Sequence, residues 1–261
     1  MSLDQTANIV KSQTLTRDAF LGGRLTIAQP KTGFRAGLDS VLLGAAVKAE
    51  TGQLLDLGAG VGTATLVALS HHPALAATLA ELEPQALALA RENIAGNGFS
   101  GRAEALAVDV ASPGQARAAA GLAVERYAAV IANPPFFASG QGTPARGAGR
   151  AAARQMAPGD LERWARTAAA SAAPDGEILF ILPAEMLGPV LTAFEARFGA
   201  IAVLPFAPRP GAPASRILVR GIKGSRAPLN LLATRSFHSG DGTAFTPEID
   251  AILRGAAPLH W

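Results

Sequence analysis

The stretch "LLDLGAGVGTATL", residues 54 to 66, decides the fold that the sequence predicts. An apolar run that contains Asp56 is followed at once by three glycines in alternate positions, Gly58, Gly60 and Gly62. Glycine adopts backbone angles that other residues avoid, and it lets a ligand approach the main chain closely. A buried strand, a glycine turn and a helix in this order are typical of α/β proteins that hold a nucleotide-like ligand at the turn.

The rest of the chain favours a mostly parallel sheet covered by helices. Short apolar runs alternate with helical patterns from about residue 53 onward. We predict seven strands, at 53–57, 77–82, 104–108, 127–132, 177–183, 200–205 and 215–221. The last two are joined by a Pro- and Gly-rich loop that is too short for a crossover helix, so they should pair antiparallel.

The residues before the sheet form a short N-terminal extension, residues 1–48. Its first part alternates like a small strand pair, and "LDSVLLGAAV" predicts a helix capped by Asp39 or Ser40. At 261 residues the chain is long enough to bury a full core. We therefore expect a single domain over residues 1–261, as a monomer or a weak homodimer.

Composition narrows the class of protein. Hydrophobic residues make up 49% and charged residues 16% of the chain, which is typical of a globular protein. Neither a bilayer-spanning apolar run nor a signal peptide is recognisable, so we expect a cytoplasmic protein that does not bind membranes. The chain has no cysteine, and its four histidines are not spaced like metal ligands. We therefore expect no metal site.

The basic residues are mostly arginine, since only four of the 23 are lysine. The planar guanidinium suits phosphate contacts and base stacking. Between residues 205 and 240 six basic residues occur without an Asp or Glu: Arg209, Arg216, Arg220, Lys223, Arg226 and Arg235. This run predicts a surface for a polyanion. A GC-rich genome, which the many alanines also indicate, is the alternative explanation for the arginines.

Acidic residues at two later strand ends indicate what the glycine turn binds. Glu81 comes 25 residues after Asp56, where a carboxylate can accept both hydroxyls of a ribose. Glu83 lies on the same strand face and is the rival for this role. Asp109 follows the third strand and could accept an adenine amino group. An NAD-dependent oxidoreductase shares the first two features but predicts a Gly-x-Gly-x-x-Gly spacing, which this chain lacks.

The stretch "VIANPPFF" places an amide and two prolines at the end of the fourth predicted strand. The side-chain oxygen of Asn133 and the carbonyl of Pro134 could each accept an N–H bond from a planar nitrogen and draw it toward tetrahedral geometry. Pro135 helps to fix these acceptors, and Phe136 or Phe137 offers a face for stacking. These residue types leave adenine N6, cytosine N4, guanine N2 and a glutamine amide open as acceptors.

The glycine turn, the acids at the strand ends and the Asn-Pro-Pro motif together resemble the class I S-adenosylmethionine-dependent methyltransferases. The resemblance implies a Rossmann-like, seven-stranded sheet with an antiparallel last strand, and S-adenosyl-L-methionine as the cofactor. It implies that Gly58 and Gly60 face the methionine part of the cofactor, Glu81 its ribose and Asp109 its adenine.

The whole chain resembles the bacterial tRNA (adenine-N6) methyltransferases that modify A37 beside the anticodon of a valine tRNA. The similarity lies in five separated blocks: "KTGFRAGLDSVLLGAAV", "TPARGAGR", "ILPAEML", "SRILVRG" and "TAFTPEIDAILRG". It implies N6-methylation of adenine in a tRNA anticodon loop. The alternative is a glutamine-amide methyltransferase of a release factor or ribosomal protein, but that family carries a helical domain ahead of the sheet.

The two resemblances together imply a set of site residues. The implied catalytic residues are Asn133, Pro134, Pro135 and Phe136. The implied cofactor-binding residues are Arg35, Asp39, Asp56, Gly58, Gly60, Glu81, Asp109 and Asn133. The implied substrate-binding residues are Phe136, Phe137, Arg146, Arg150, Arg154 and Arg216, and Arg209, Arg216 and Arg220 are expected to follow the RNA backbone.

Overall fold

The structure is a computed structural model that describes residues 15–33, 35–135, 159–240 and 242–261. It begins with an antiparallel hairpin of β1 (Leu15–Phe20) and β2 (Leu25–Pro30). The main sheet contains β3 (Thr51–Leu57), β4 (Ala74–Glu81), β5 (Ala103–Ala107), β6 (Tyr127–Ala132), β7 (Ala172–Pro183), β8 (Phe198–Ala207), β9 (Arg216–Lys223), β10 (Asn230–Leu231) and β11 (Arg235–Ser236).

The order of the strands confirms the predicted fold class. The sheet runs β5-β4-β3-β6-β7-β9-β8, and the first five of these strands are mutually parallel. β9 lies between β7 and β8 and is antiparallel to both, as the short connection required. The two-residue strands β10 and β11 pair with β8 and were not predicted, because such short segments carry no hydrophobic period.

Helices cover both faces of this sheet. They are α1 (Leu38–Ala45), α2 (Thr63–His71), α3 (Pro84–Gly96), α4 (Gly114–Ala119), α5 (Asp160–Ser171), α6 (Leu187–Glu195) and α7 (Pro247–Leu253). One buried cluster joins the hairpin, α1, α2, α3 and α7 to one face, and a second joins α5 and α6 to the other. Within the described ranges, no helix is both long and apolar enough to cross a membrane.

The start of α1 differs from the prediction. The helix begins at Leu38 after Gly37, and neither Asp39 nor Ser40 caps it. Asp39 lies in the first turn, and its carboxylate instead accepts a hydrogen bond from Arg216 Nε at 2.9 Å. Ser40 is buried. The predicted cap was wrong because a tertiary partner takes the side chain that local sequence assigned to the helix end.

Two asparagines, Asn93 on α3 and Asn97 directly after its end, attach the hairpin to this helix. The buried Asn93 accepts a bond from Ala28 N at 2.7 Å and donates to Ala28 O at 3.0 Å. It also donates to Val61 O, in the glycine turn, at 2.9 Å. One turn later, Asn97 pairs in the same way with both backbone groups of Thr26. The hairpin and the glycine turn are therefore fixed to the same helix.

Replacement of Gly44 should test the close packing of α1 on α2. A Cβ at this position would lie 2.2 Å from Ala64 O and 2.8 Å from Val67 Cβ. We expect Gly44→Ala to lower the free energy of unfolding by about 1–3 kcal/mol, because the helices must separate to admit the methyl group. Urea denaturation measures this.

The matched control is Gly96→Ala, also within a helix but, among the described residues outside its own helix and chain neighbours, with no atom within 4 Å of the added Cβ. It should leave stability unchanged or raise it slightly. Equal losses in the two variants would contradict the packing argument.

Candidate active site

The register of the parallel strands brings three of the predicted site residues together. Leu57 on β3 pairs with Ala80 on β4 and with Ala132 on β6. One residue further along each strand, Gly58 follows β3, Glu81 ends β4 and Asn133 follows β6. Adjacent strands lie about 4.8 Å apart. The glycine turn therefore lies between the acid and the amide at the carboxyl edge of the sheet.

The glycine turn has the backbone that its sequence predicts. Gly58 and Gly60 have φ values of 64° and 58°, in the left-handed region that favours glycine. A Cβ on Gly58 would lie 2.5 Å from the ring of Trp164 on α5, so this glycine is also required by packing. Beside Gly60 there is no described atom within 4 Å of such a Cβ. The turn is therefore packed against Trp164 at Gly58 and open, among the described residues, at Gly60.

Glu81 fixes the shape of this turn. Its two carboxylate oxygens accept hydrogen bonds from Gly60 N at 2.7 Å and from Glu83 N at 2.8 Å. A carboxylate offers about four acceptor positions. Two positions thus remain, which is what the prediction of contacts to both ribose hydroxyls requires.

Glu83, the rival for that role, has a different one. Its side chain accepts a bond from Ala86 N at 2.6 Å and caps the N-terminus of α3. A carboxylate in this position satisfies an amide that would otherwise lack a partner and favours the positive end of the helix. The structure thus distinguishes the contacts of Glu81 from those of Glu83, which the sequence could not do.

Asp56 lies beneath the glycine turn. It is 2% exposed, and its carboxyl accepts a hydrogen bond from Thr65 Oγ1 at 2.7 Å. Burial raises the pKa of Asp56 to about 7, and the charge of Glu81 acts in the same direction, against the hydrogen bond from Thr65. The described contacts of Asp56 indicate that it supports the glycine turn.

Asp109 lies on the surface, two residues beyond the end of β5. Its side chain accepts a bond from Ala111 N at 2.8 Å, and its carbonyl accepts one from the hydroxyl of Ser112. These bonds form a tight turn that follows β5, the strand next to β4, and hold the carboxylate at the same edge of the sheet as Glu81. This position is compatible with the predicted contact to adenine.

A cleft of about 320 Å³ lies next to this edge and joins the N-terminal extension to the Asn-Pro-Pro motif. Asn133 is half-buried in it, and Pro134 beside it is buried. The described lining residues are Arg35, Gly37, Leu38, Asp39, Ser40, Asn133, Ser215, Arg216 and Phe237. Four residues that were predicted from distant parts of the sequence therefore meet here: Arg35, Asp39, Asn133 and Arg216.

Arg35 reaches the cleft but is mostly engaged with the hairpin. Its guanidinium donates to Thr16 Oγ1, to Pro30 O and, at 2.6 Å, to Asp18 Oδ2. Hydrogen bonds from Gln29 first, and from Thr16 and Arg35, hold the pKa of Asp18 below its usual value. The described contacts of Arg35 tie the extension together, and its predicted role at the cofactor stays a prediction.

The basic run at 205–240 is largely neutralised by acids from other parts of the chain. The ion pairs are Arg216 with Asp39, Arg220 with Glu177, Lys223 with Glu125 and Arg235 with Glu248. Arg209 donates to the carbonyls of Gly240 and Gly242. The absence of acids along the sequence therefore overstated the free positive charge.

Arg220 in particular is largely buried, with 22% of its side chain exposed. Its Nε donates to the buried Glu177 at 3.0 Å, and its guanidinium lies 5.9 Å from the ring of Trp261. Glu177 also accepts the backbone N–H groups of Lys48 and Ala49. The expectation that Arg220 follows an RNA backbone is not supported by this position.

Several predicted residues lie outside the described residues: Phe136, Phe137, Arg146, Arg150 and Arg154. In the other direction, the structure adds Trp164, Ser215 and Phe237 to the site. The Phe237 ring stacks on Phe206 with centroids 5.4 Å apart and closes one wall of the cleft. No local motif marks Trp164 or Phe237, which come to the site only through the packing of α5 and the C-terminal segment. Ser215 opens the block "SRILVRG" just before β9, but nothing in that block singled it out as a site residue.

Comparisons with known proteins identify the class. Residues 36–159 match the family model of the methyltransferase small domain. A solved structure from Agrobacterium tumefaciens, named a predicted O-methyltransferase, is 32% identical to this chain, with a TM-score of 0.72 over 85% of this chain and 98% of that one. This protein is a class I S-adenosylmethionine-dependent methyltransferase.

Curated relatives define the family more narrowly. The tRNA1(Val) (adenine(37)-N6)-methyltransferase of Klebsiella pneumoniae strain 342 is 31% identical over 176 residues, which are 66% of this chain and 68% of the relative. The enzyme of that name from Pedobacter heparinus is 30% identical over 168 residues, 64% of this chain and 68% of the relative. The chain belongs to this family.

The site has room for the cofactor of this class, S-adenosyl-L-methionine. At Gly60 the turn leaves open the space that a side chain would fill, and Glu81 keeps free acceptor positions beside it. Asp109 is exposed at the same edge.

The buried Asp56 should make stability depend on pH. An aspartate has an ordinary pKa near 4, while that of folded Asp56 is about 7. Between these values the folded protein keeps a proton that the unfolded chain has lost, so the free energy of unfolding falls as pH rises and levels off above about 7. The loss is about 1.4 kcal/mol per pKa unit. Urea denaturation at pH 5 and pH 8 should show a smaller loss for Asp56→Asn than for the wild type.

Thr65→Val provides the opposite control. It removes the hydrogen bond that lowers the pKa of Asp56, so the loss of stability should extend to higher pH. An Asp56→Asn variant with the same pH dependence as the wild type would show that this carboxyl does not titrate in the window.

Glu81 and Glu83 should separate cofactor binding from helix capping. We expect Glu81→Ala to weaken S-adenosylmethionine binding by about tenfold or more, because it removes the predicted acceptor of the ribose hydroxyls and frees the amide of Gly60. Glu83→Ala should lower stability by about 1 kcal/mol through the lost cap and leave cofactor affinity nearly unchanged. Isothermal titration calorimetry measures the cofactor affinity, and thermal melts measure the stability. Weaker cofactor binding by Glu83→Ala and not by Glu81→Ala would identify Glu83 as the ribose acceptor.

Proposed function

We propose that this enzyme transfers the methyl group of S-adenosylmethionine to the exocyclic N6 of an adenosine in tRNA, at A37 beside the anticodon. The relatives that carry this name support the reaction and its substrate. The observation that carries the proposal is the position of Asn133. Strand register places it directly beside the glycine turn, and it also lines the cleft.

The bound cofactor would supply an electrophilic methyl group on a sulfonium. Catalysis therefore depends on making the exocyclic amine of the base a better nucleophile. The lone pair of an exocyclic amine is delocalised into the base. Hydrogen bonds from the amine to the Asn133 side-chain oxygen and the Pro134 carbonyl would draw the nitrogen toward tetrahedral geometry. Burial of Pro134 keeps its carbonyl in place. Alignment of this kind can contribute roughly 7–11 kcal/mol.

The same two acceptors favour nitrogen over oxygen as the methylated atom. A hydroxyl must give up its proton to become a good nucleophile, and neither an amide oxygen nor a peptide carbonyl can take it. An amine can release its proton to water after transfer. Methylation of oxygen remains the second candidate, because the Agrobacterium structure carries that name at 32% identity.

The proposed tRNA substrate indicates the cellular compartment in which the enzyme acts. We propose that residues 1–261 act as one domain in the cytoplasm, where tRNA is modified. The buried cluster that contains both Leu21 near the start and Leu259 near the end of the chain supports a single folding unit.

Transfer of labelled methyl from S-adenosylmethionine to tRNA from cells that lack this enzyme tests the proposal. Nucleoside analysis should show N6-methyladenosine, and digestion of the tRNA should place it at position 37. Label in the glutamine amide of a protein would instead favour the glutamine-amide methyltransferases. Label on a hydroxyl of a small molecule would favour the second candidate.

Asn133→Ala should slow transfer strongly while cofactor affinity stays close to that of the wild type. Loss of the side-chain acceptor should lower kcat by about 10²–10³-fold. The control is Asn230→Ala, an exposed asparagine on β10 at the far edge of the sheet, which should be fully active. Single-turnover kinetics with calorimetry makes the comparison. Full activity of Asn133→Ala would rule out the proposed alignment.

A further inference from the structure

The ion pair between Asp39 and Arg216 is too exposed to contribute much to the stability of the fold. It joins the first turn of α1 to the first residue of β9, 177 residues apart in sequence. The two side chains are 30% and 38% exposed. An ion pair this accessible to water contributes about 0–1 kcal/mol to stability. Its position on the wall of the cleft that contains Asn133 therefore says more about its role than its contribution to stability does.

The hydrogen bonds of Arg216 leave one edge of its guanidinium available. Nε donates to Asp39 Oδ2 at 2.9 Å, and Nη1 donates to Ser215 O at 3.0 Å. A guanidinium has five N–H groups, so three remain, and none of them has an acceptor among the described residues. One of these lies on Nη1 and two lie on Nη2. The edge formed by Nη1 and Nη2 can bind a phosphate through two parallel hydrogen bonds, one from each nitrogen.

Arg35, the other guanidinium on the cleft, is less available. Three of its N–H groups already donate to the hairpin, and its partner Asp18 accepts further bonds from Thr16 and Gln29. Arg216 is thus better placed to bind a ligand without loss of existing contacts. Asp39 holds it by Nε alone, which fixes the plane of the guanidinium and leaves its far edge open.

We propose that Arg216 binds a backbone phosphate of the RNA next to the target nucleotide, and that Asp39 is the positioning residue that orients it. The inference rests on the proposed function, since it requires an RNA substrate. It also reassigns Asp39, which the family resemblance placed with the cofactor. A phosphate held on this wall would fix the nucleotide whose base reaches Asn133 on the same cleft.

The test measures the KM for tRNA at several salt concentrations and the cofactor affinity for Arg216→Gln and Asp39→Asn. Arg216→Gln should raise the KM about tenfold and reduce the slope of log KM against log salt by about 1, as expected for one lost phosphate contact. Asp39→Asn should change both quantities in the same direction and by less. Neither variant should alter the affinity for S-adenosylmethionine.

Lys223→Gln is the matched control. Lys223 lies at the other end of β9, at the opposite edge of the sheet, and also pairs with one carboxylate, that of Glu125 at 2.9 Å. It should leave the KM and the salt dependence unchanged. Because both ion pairs are partly exposed, the three variants should fold, and thermal melts would verify this.

The possible failures are distinguishable. A wild-type enzyme that methylates no RNA would overturn the proposed function and this inference together. A wild-type enzyme that methylates tRNA, with an Arg216→Gln variant of unchanged salt dependence, would overturn the inference alone. Weaker cofactor binding by Asp39→Asn at an unchanged KM for tRNA would return Asp39 to the cofactor.

Discussion

Parallel strands pair through evenly spaced hydrogen bonds, and in this protein β3 carries such a ladder on both of its edges. Because both neighbours are in register with Leu57, the residues that follow the three strands meet at one place. A slip of one residue in either ladder would turn the side chain of Glu81 or Asn133 to the other face. The turn between them, the cleft and the chemistry all depend on this register.

Two carboxylates hold the turn at that place in different ways. Glu81 accepts the amide of Gly60 from the side of the neighbouring strand, while Asp56 lies in the core beneath it with Thr65 as its partner. A buried carboxyl with a raised pKa is unfavourable for stability near neutral pH. Such groups are common at functional sites, and here it lies directly under the residues that are expected to hold the cofactor.

The charges of this protein are arranged by its tertiary structure. Local sequence suggested a strip of uncompensated basic residues, but β9 brings three of them to acids on α1, β7 and the segment before β6, and β11 brings Arg235 to an acid on α7. Coulomb interactions act through space, so the sequence distance between charges says little about their balance. What remains for a ligand is the geometry of single guanidinium groups, and of the two described arginines that line the cleft with Asn133, Arg216 has the more favourable one.

The sequence by itself determined the sheet, the glycine turn and the acids and amide at the strand ends. Hydrophobic period and glycine conformation are local properties, and a parallel sheet brings its carboxyl ends to one edge whatever the rest of the chain does. The tertiary structure alone decided which of Glu81 and Glu83 faces the turn, that Asp39 pairs with Arg216 instead of capping α1, and that Trp164 and Phe237 border the site. These outcomes depend on contacts between segments far apart in sequence, where several partners compete for the same side chain and packing selects one of them.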